Sequence, residues 1–305
     1  MDCREIIVGQ GTAYPLNGLL TLPDDLSSPV PAVVLVHGSG PSNMDERVMK
    51  LTPFRDLAEG LAARGVAALR YDKRTFAHAR KMKKTLLTVK EETIDDALLA
   101  VALLRQTPEI DGSRIFLLGH SMGAMLAPRI DAEGADARGL ILMAGTPFRL
   151  EEIVLRQLRQ SGDGNPLLKA IVSLEYKLFA KKFDGLYDLP DNVAKKKKFA
   201  GSLSLYYFKE MGRKTAAAYL LESRKPALIL QGGKDFQVLA KEDFKQFKAQ
   251  LAGRENTEYR LYPELNHLFV SAIHTSILKA SAEYSVERHI GDDVLDDIAA
   301  FIFEY

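Results

Sequence analysis

Three side chains in this sequence have the types and spacing to break an acyl bond together: Ser121, Asp235 and His267. Ser121 stands in Gly119-His120-Ser121-Met122-Gly123, a G-x-S-x-G pattern between the apolar run Ile115 to Leu118 and a helix-like stretch from Met122 to Ile130. Where a strand turns sharply into a helix, the serine is held in strained backbone with its hydroxyl projecting from the sheet edge. Glycines two residues to either side let neighbouring backbone pass close by. The plainer reading is a serine that only caps the helix. A serine hydroxyl is a weak nucleophile and needs a base, itself oriented by a carboxylate. Asp235 follows the strand-like Ala227 to Gln231, and His267 follows the strand-like Glu258 to Tyr262. The order serine, acid, histidine puts all three at the carboxyl edge of one sheet, where open α/β folds keep their sites. Asp235 could instead be a turn residue bonded to its own backbone, and His267 a satisfied core or surface histidine. His274 is a rival base, but it stands in a helix-like stretch beyond the loop.

A tetrahedral intermediate also needs donors for its oxyanion. The backbone N–H of Met122, at the start of a helix, is one expected donor. The other is the N–H of Ser39, in the loop His37-Gly38-Ser39-Gly40-Pro41 after the strand-like Ala32 to Val36. Glycines there let a backbone N–H face the site. His37 and His120 adjoin this machinery and are read as packing and loop-shaping residues. The supporting loop is therefore His37, Gly38, Gly40, Gly119, His120 and Gly123.

The elements that must position these residues emerge from periodicity. Short β-branched runs at Ala32 to Val36, Val66 to Tyr71, Ile115 to Leu118 and Leu140 to Met143 read as buried strands of a largely parallel sheet. Between them, Phe54 to Arg64 carries a helical apolar face and stops at Gly65. Glu91 to Gln106 does the same, with Thr88 and Glu91 spaced as a capping box. Such alternation predicts a doubly wound α/β sheet of about eight strands. Glu5 to Leu22 reads as a leading hairpin. The rhythm breaks over 148–221, which holds helix-like stretches and no convincing strand. It resumes with Ala227 to Gln231, a helix at Lys241 to Leu251, Glu258 to Tyr262, and a last helix at Asp292 to Phe303. The expected organisation is a core over 1–147 and 222–305 with a helical cap inserted at 148–221. That insertion holds 14 Lys+Arg against 8 Asp+Glu, so it carries +6 in a chain whose net charge is +1.

The balance of 41 basic against 40 acidic residues in 305 excludes bulk polyanion binding as the leading idea, so no nucleic-acid partner is expected. One cysteine, Cys3, allows no intrachain disulfide and no thiolate cluster for zinc. No metal and no cofactor are expected. The first residues lack a basic-then-apolar leader, and no apolar run approaches a membrane span, so no stable membrane insertion and a cytoplasmic setting are expected.

On these residues the chain resembles α/β-hydrolase-fold serine esterases. More narrowly it resembles bacterial carboxylesterases with an HGSGP oxyanion loop followed by an acidic pair. Here these are His37 to Pro41 and then Asp45-Glu46. Further matches are Arg70 to Thr75, Gly119 to Gly123, Ala127 to Ile130 and Gln231 to Asp235. The resemblance implies an eight-stranded core with a helical cap, and a Ser121–Asp235–His267 triad acting on acyl esters, with a small-molecule ester and water as its partners. Thioesterase or peptidase action by the same triad, or a catalytically silent binding protein, are the alternatives. A haloalkane dehalogenase or epoxide hydrolase would need a carboxylate at position 121. Asp72-Lys73-Arg74 reads as a hydrogen-bonded loop bracing the oxyanion side, with substrate contact as the other reading. Lys195 to Lys198 reads as a solvated face, with attraction of an anionic substrate or a membrane surface as the sharper alternative. Tyr176, Phe179, Phe183, Tyr206, Tyr207 and Phe208 have the types to line an acyl or aryl pocket, but at their helical spacings most are expected in the cap's own core. Oligomeric state is not legible.

Overall fold

The computed structural model of the chain describes residues 2–83, 85–162, 166–201 and 203–305; Asp163, one of the acidic residues of the insertion, lies outside them. Its strands in chain order are β1 Asp2–Val8, β2 Leu16–Leu22, β3 Val30–Val36, β4 Ala67–Tyr71, β5 Ile110–His120, β6 Leu140–Met143, β7 Lys198–Ala200, β8 Leu203–Ser204, β9 Ala227–Gly232 and β10 Thr257–Tyr262. Eight of them form one sheet in the order β1-β2-β4-β3-β5-β6-β9-β10. The leading hairpin β1–β2 is antiparallel and joins β4 antiparallel; every other pairing in this sheet is parallel.

Alternation along the central strands sends side chains to two cores. Val34, Val36 and Leu117 meet Ile94, Ala97 and Leu104 of helix 90–105, together with the helix Met122–Ile130. Val33, Leu35, Phe116 and Leu118 meet Phe54, Leu57 and Leu61 of the helix Pro53–Ala62, and Val294, Ile298 and Phe301 of the last helix, Asp292–Glu304. Both faces of β3 are thus covered and all seven of its residues are buried, which is why it reads as an unbroken apolar run. The chain leaves the helix Pro53–Ala62 through Gly65 at φ +82°, while Val66 N–H donates to Leu61 O (3.0 Å) and Gly65 N–H to Ala62 O (3.1 Å). That pair of bonds is the helix-ending pattern that glycine permits.

Three local expectations change. β5 begins at Ile110 rather than Ile115, because a register shift lets the polar stretch Asp111-Gly112-Ser113-Arg114 continue the strand after Ile110 pairs Val30. Within 148–221 the helices Leu150–Gln160, Pro166–Phe183, Asp191–Lys196, Leu205–Gly212 and Ala216–Glu222 are joined by the small antiparallel hairpin β7–β8, where the pattern predicts no strand. Too short to show a period, it is anchored by Phe199 stacked on Phe183 at 4.9 Å. His274 lies in irregular chain, its N–H donating to Glu283 Oε2 (2.5 Å), not in a helix. No helix among the described residues is long and apolar enough to cross a membrane.

Candidate active site

Ser121 follows β5 and precedes the helix Met122–Ile130, with φ +53° and ψ −115°, a left-handed conformation costly for a residue with a Cβ. Its N–H donates to Met143 O of β6 (2.8 Å), which fixes the turn against the neighbouring strand. The flanking glycines are sterically required. A Cβ on Gly119 would lie 2.2 Å from Gly123 O, and one on Gly123 would lie 2.0 Å from Val36 O.

Asp235, on the loop after β9, is 2.7 Å from Nδ1 of His267, on the loop after β10. The carboxylate is held in place by its other partners. Oδ1 accepts from the N–H groups of Gln237 (2.7 Å) and Val238 (3.0 Å), and Oδ2 also accepts from Gln231 Nε2 (3.1 Å). With Nδ1 protonated toward the carboxylate, Nε2 of His267 is left with its lone pair available to take a proton. The histidine loop is tied to the serine turn through His120, whose Nε2 donates to the His267 carbonyl (3.0 Å) with the two rings 4.8 Å apart. Among the described residues, no hydrogen bond joins the Ser121 hydroxyl to the His267 ring; such bonds often tighten only when substrate is bound.

The acidic pair after the HGSGP loop divides its labour. Glu46 accepts from Gly38 N–H (2.6 Å) through Oε1 and lies 2.9 Å from His120 Nδ1 through Oε2. Burial by itself would lower the His120 pKa, but Glu46, together with the His267 carbonyl and Asp235, outweighs it and the net shift is upward. Burial would likewise raise Glu46, but His120, with His37 and the Gly38 N–H, outweighs it and the carboxyl is held below its ordinary range. The two directions agree on a buried ion pair. Asp45 pairs instead with Arg70 (3.0 Å) and Arg55 (2.6 Å). His37 is buried against Phe54 and Tyr71, with Nε2 3.1 Å from Asn43 O, and burial pushes its pKa down to about 4. It is a neutral loop-shaping residue and is engaged away from the serine.

The loop after β4 braces the same region. Asp72 Oδ1 accepts from Met44 N–H (2.8 Å), Lys73 Nζ donates to Gly38 O (2.8 Å), and Arg74 pairs with Asp96 (2.5 Å). All three side chains are thus engaged within the fold, which accords with the bracing reading of Asp72 to Arg74.

Ser39, Gly40, Ser121 and Met122 open onto a cavity of about 470 Å³. Its remaining walls are mainly apolar, with Met125, Leu150, Ile153, Val154, Phe199 and Phe208 among them. Of the six aromatics singled out in the insertion, only Tyr207 and Phe208 reach it; Phe179 and Phe183 pack on Phe199. Phe199, at the hairpin, lines the cavity without any periodic signal to mark it. In the basic run, Lys195 lies over the Tyr206 ring at 4.7 Å, outside the cavity lining. Glu46 and Gln231 fall within stretches that carry the family resemblance, although their partners do not follow from it, and Glu92 is a site-supporting residue that the sequence pattern does not single out. A charged or amide side chain beside an apolar run is the one available sign, and it does not say which partner will be met.

A mostly parallel eight-stranded sheet, with a serine on a strained strand-to-helix turn and a histidine–aspartate pair on the loops after its last two strands, defines an α/β-hydrolase fold. The chain belongs to the alpha/beta hydrolase family, whose model matches residues 33–273. It is 37% identical over 294 residues to esterase EstD of Thermotoga maritima, covering 95% of this chain and 66% of that protein's length. Its fold is similar to that of Est1E from Butyrivibrio proteoclasticus with ferulic acid bound (17% identity, 98% of each chain, TM-score 0.61). It is also similar to the Pyrococcus furiosus esterase Pf2001 (17% identity, 100% of this chain and 91% of the other, TM-score 0.59).

Proposed function

We propose that the protein is a serine hydrolase cleaving carboxylic esters of small to medium acyl chains. The observation that carries this reading is the 2.7 Å contact between Asp235 and His267 on a loop bonded to the residue beside Ser121. His267 takes the proton of Ser121 as its oxygen attacks the acyl carbonyl, and the N–H groups of Ser39 and Met122 receive the oxyanion. His267 returns the proton to the departing alcohol, then activates water to release the acid, while Asp235 keeps the ring in the Nδ1–H tautomer and stabilises the imidazolium. Residues 148–221 serve as a cap over the core 1–147 and 222–305, and the apolar cavity holds the acyl portion. A cytoplasmic setting accords with an exposed, unpaired Cys3.

The esterase similarity of the Thermotoga maritima relative supports ester over thioester or amide substrates. The test is hydrolysis of p-nitrophenyl acetate, butyrate and octanoate beside matched thioesters and anilides, with fluorophosphonate labelling of Ser121. Ser121→Ala should lower ester turnover by several orders of magnitude and abolish labelling. Full activity in that variant, or an unlabelled wild-type protein, refutes the assignment.

A further inference from the structure

We propose that Lys73 is a positioning residue for the oxyanion site, holding the Gly38–Ser39 peptide so that the Ser39 N–H faces Ser121, and that Tyr207 of the inserted segment keeps Lys73 in place through Glu92. This rests on the reading of Ser39 as an oxyanion donor.

The Gly38 residue is gripped on both sides by charged groups from outside its loop. Its N–H donates to Glu46, and its carbonyl accepts from Lys73 Nζ at 2.8 Å. The chain contains no cis peptide bond among the described residues, and in a planar trans peptide the next N–H points opposite the carbonyl. Drawing Gly38 O toward Lys73 therefore turns Ser39 N–H the other way. Gly38 borders the nucleophile directly, since a Cβ there would lie 3.3 Å from Ser121 Cβ.

A buried ammonium needs a counter-charge. Lys73, 2% exposed, has one in Glu92 Oε1 at 2.6 Å. Glu92 Oε2 accepts from Tyr207 Oη at 2.6 Å, and that hydroxyl also lies 3.4 Å from Met122 Sδ. Tyr207 belongs to the helix Leu205–Gly212 of the insertion, and both it and Glu92 border the cavity. A continuous buried chain thus runs from the insertion to the carbonyl that sets one oxyanion donor, and touches the residue that supplies the other. None of its members takes part in proton transfer, so the acid–base steps leave the chain unexplained. The geometry couples the seating of the insertion to the oxyanion site.

The test is steady-state hydrolysis of p-nitrophenyl butyrate by Lys73→Met/Glu92→Leu, which removes both charges together and orphans neither, and by Tyr207→Phe, which removes one hydroxyl. Losing an oxyanion donor outright lowers turnover about 10²–10³-fold, so loosening one should lower kcat about 10–100-fold in the double variant, with KM within about threefold. Phenylboronic acid, which forms a tetrahedral adduct on the serine, should lose affinity in proportion to kcat/KM. Tyr207→Phe should shift kcat the same way by about threefold or more, and it reports on the coupling even if the double variant does not fold. A folded double variant with wild-type kcat, or one that changes only KM or thermal midpoint, overturns the role of Lys73. Unchanged kcat in Tyr207→Phe overturns the coupling. Absence of Ser121 labelling in the wild-type protein would instead indict the hydrolase reading.

Discussion

Replacing Gly123 by alanine places a methyl group where the backbone of the central strand already stands. The new Cβ would lie 2.0 Å from Val36 O and 2.8 Å from His37 O. A carbon–oxygen contact settles at about 3.3 Å, so one side must retreat by roughly 1 Å. β3 is poorly able to move: it is paired with β4 and β5, and every one of its residues is buried. The start of the helix Met122–Ile130 must move instead, carrying with it the Ser121 hydroxyl and the Met122 N–H. Misplacement by about 1 Å can lower turnover by about 10²-fold, and overpacking of this kind destabilises by about 1–3 kcal/mol. The assay is kcat for p-nitrophenyl butyrate beside a thermal melt, with Gly112→Ala as control. Gly112 has no left-handed φ, and its added Cβ would find its nearest neighbour at 3.8 Å. The expected result is a loss of about 10² or more in kcat and a midpoint lowered by roughly 2–10 °C, with the control unchanged. A Gly123→Ala protein with near-wild-type kcat and midpoint would refute the close-approach argument for the turn.

Two further outcomes rest on the same geometry. In Asp235→Asn, the N–H groups of Gln237 and Val238 hold the amide oxygen at the Oδ1 position, so the amide nitrogen faces His267 Nδ1 and forces the wrong tautomer. Turnover should fall by about 10⁴ while the protein keeps its fold, and an active asparagine variant would contradict the assigned tautomer. Glu46→Gln should lower the His120 pKa, measurable by NMR, because burial pulls it down and Glu46 is the foremost of the groups that raise it. The histidine's share of stability is present below its ordinary pKa of 6.5 and is lost as pH rises through the raised value. The carboxylate's share is present above 4.5 and is lost as pH falls through the lowered one. The difference in thermal midpoint between wild type and Glu46→Gln should therefore be widest between 4.5 and 6.5 and narrow on the alkaline side; a gap that widens there would show that the pair is not ionised.

The parts of the site carried by strand ends are legible because a buried parallel strand announces itself by an apolar run, and the residues just after that run must lie at the carboxyl edge. Ser121, Asp235 and His267 are all of this kind. So is Ser39, whose loop glycines mark a backbone that approaches closely. Of the charged supports, Lys73 falls in a stretch that reads as a brace, but the partners it meets are not legible in the same way. Lys73 and Glu92 are far apart in the sequence and meet because helix 90–105 is laid against the turn after β4. Tyr207 joins them only once the insertion has folded over. Buried charges are specified by partners, and partners come from tertiary packing that no local period encodes. β7 and β8 escape a pattern-based reading because two or three residues are too few to establish an alternation.

β6 and β9 are neighbours in the sheet, with Leu140 opposite Ala227, although residues 144–226 separate them in sequence. Ala144 N–H donates to Leu230 O at the carboxyl edge and Leu140 N–H to Pro226 O at the opposite edge, so residues 144–226 must cross the sheet from one edge to the other whatever lies between them. For a flexible connection, doubling its length would add only about 0.6 kcal/mol of closure entropy. What resists change is adhesion: Leu205, Phe208, Ala217 and Leu220 are buried in the same core cluster as Leu126 and Ile130. The segment is thus a span moored at both sheet edges and along one buried seam, so residues added between the moorings lengthen the span and leave the strand order beneath it as it is.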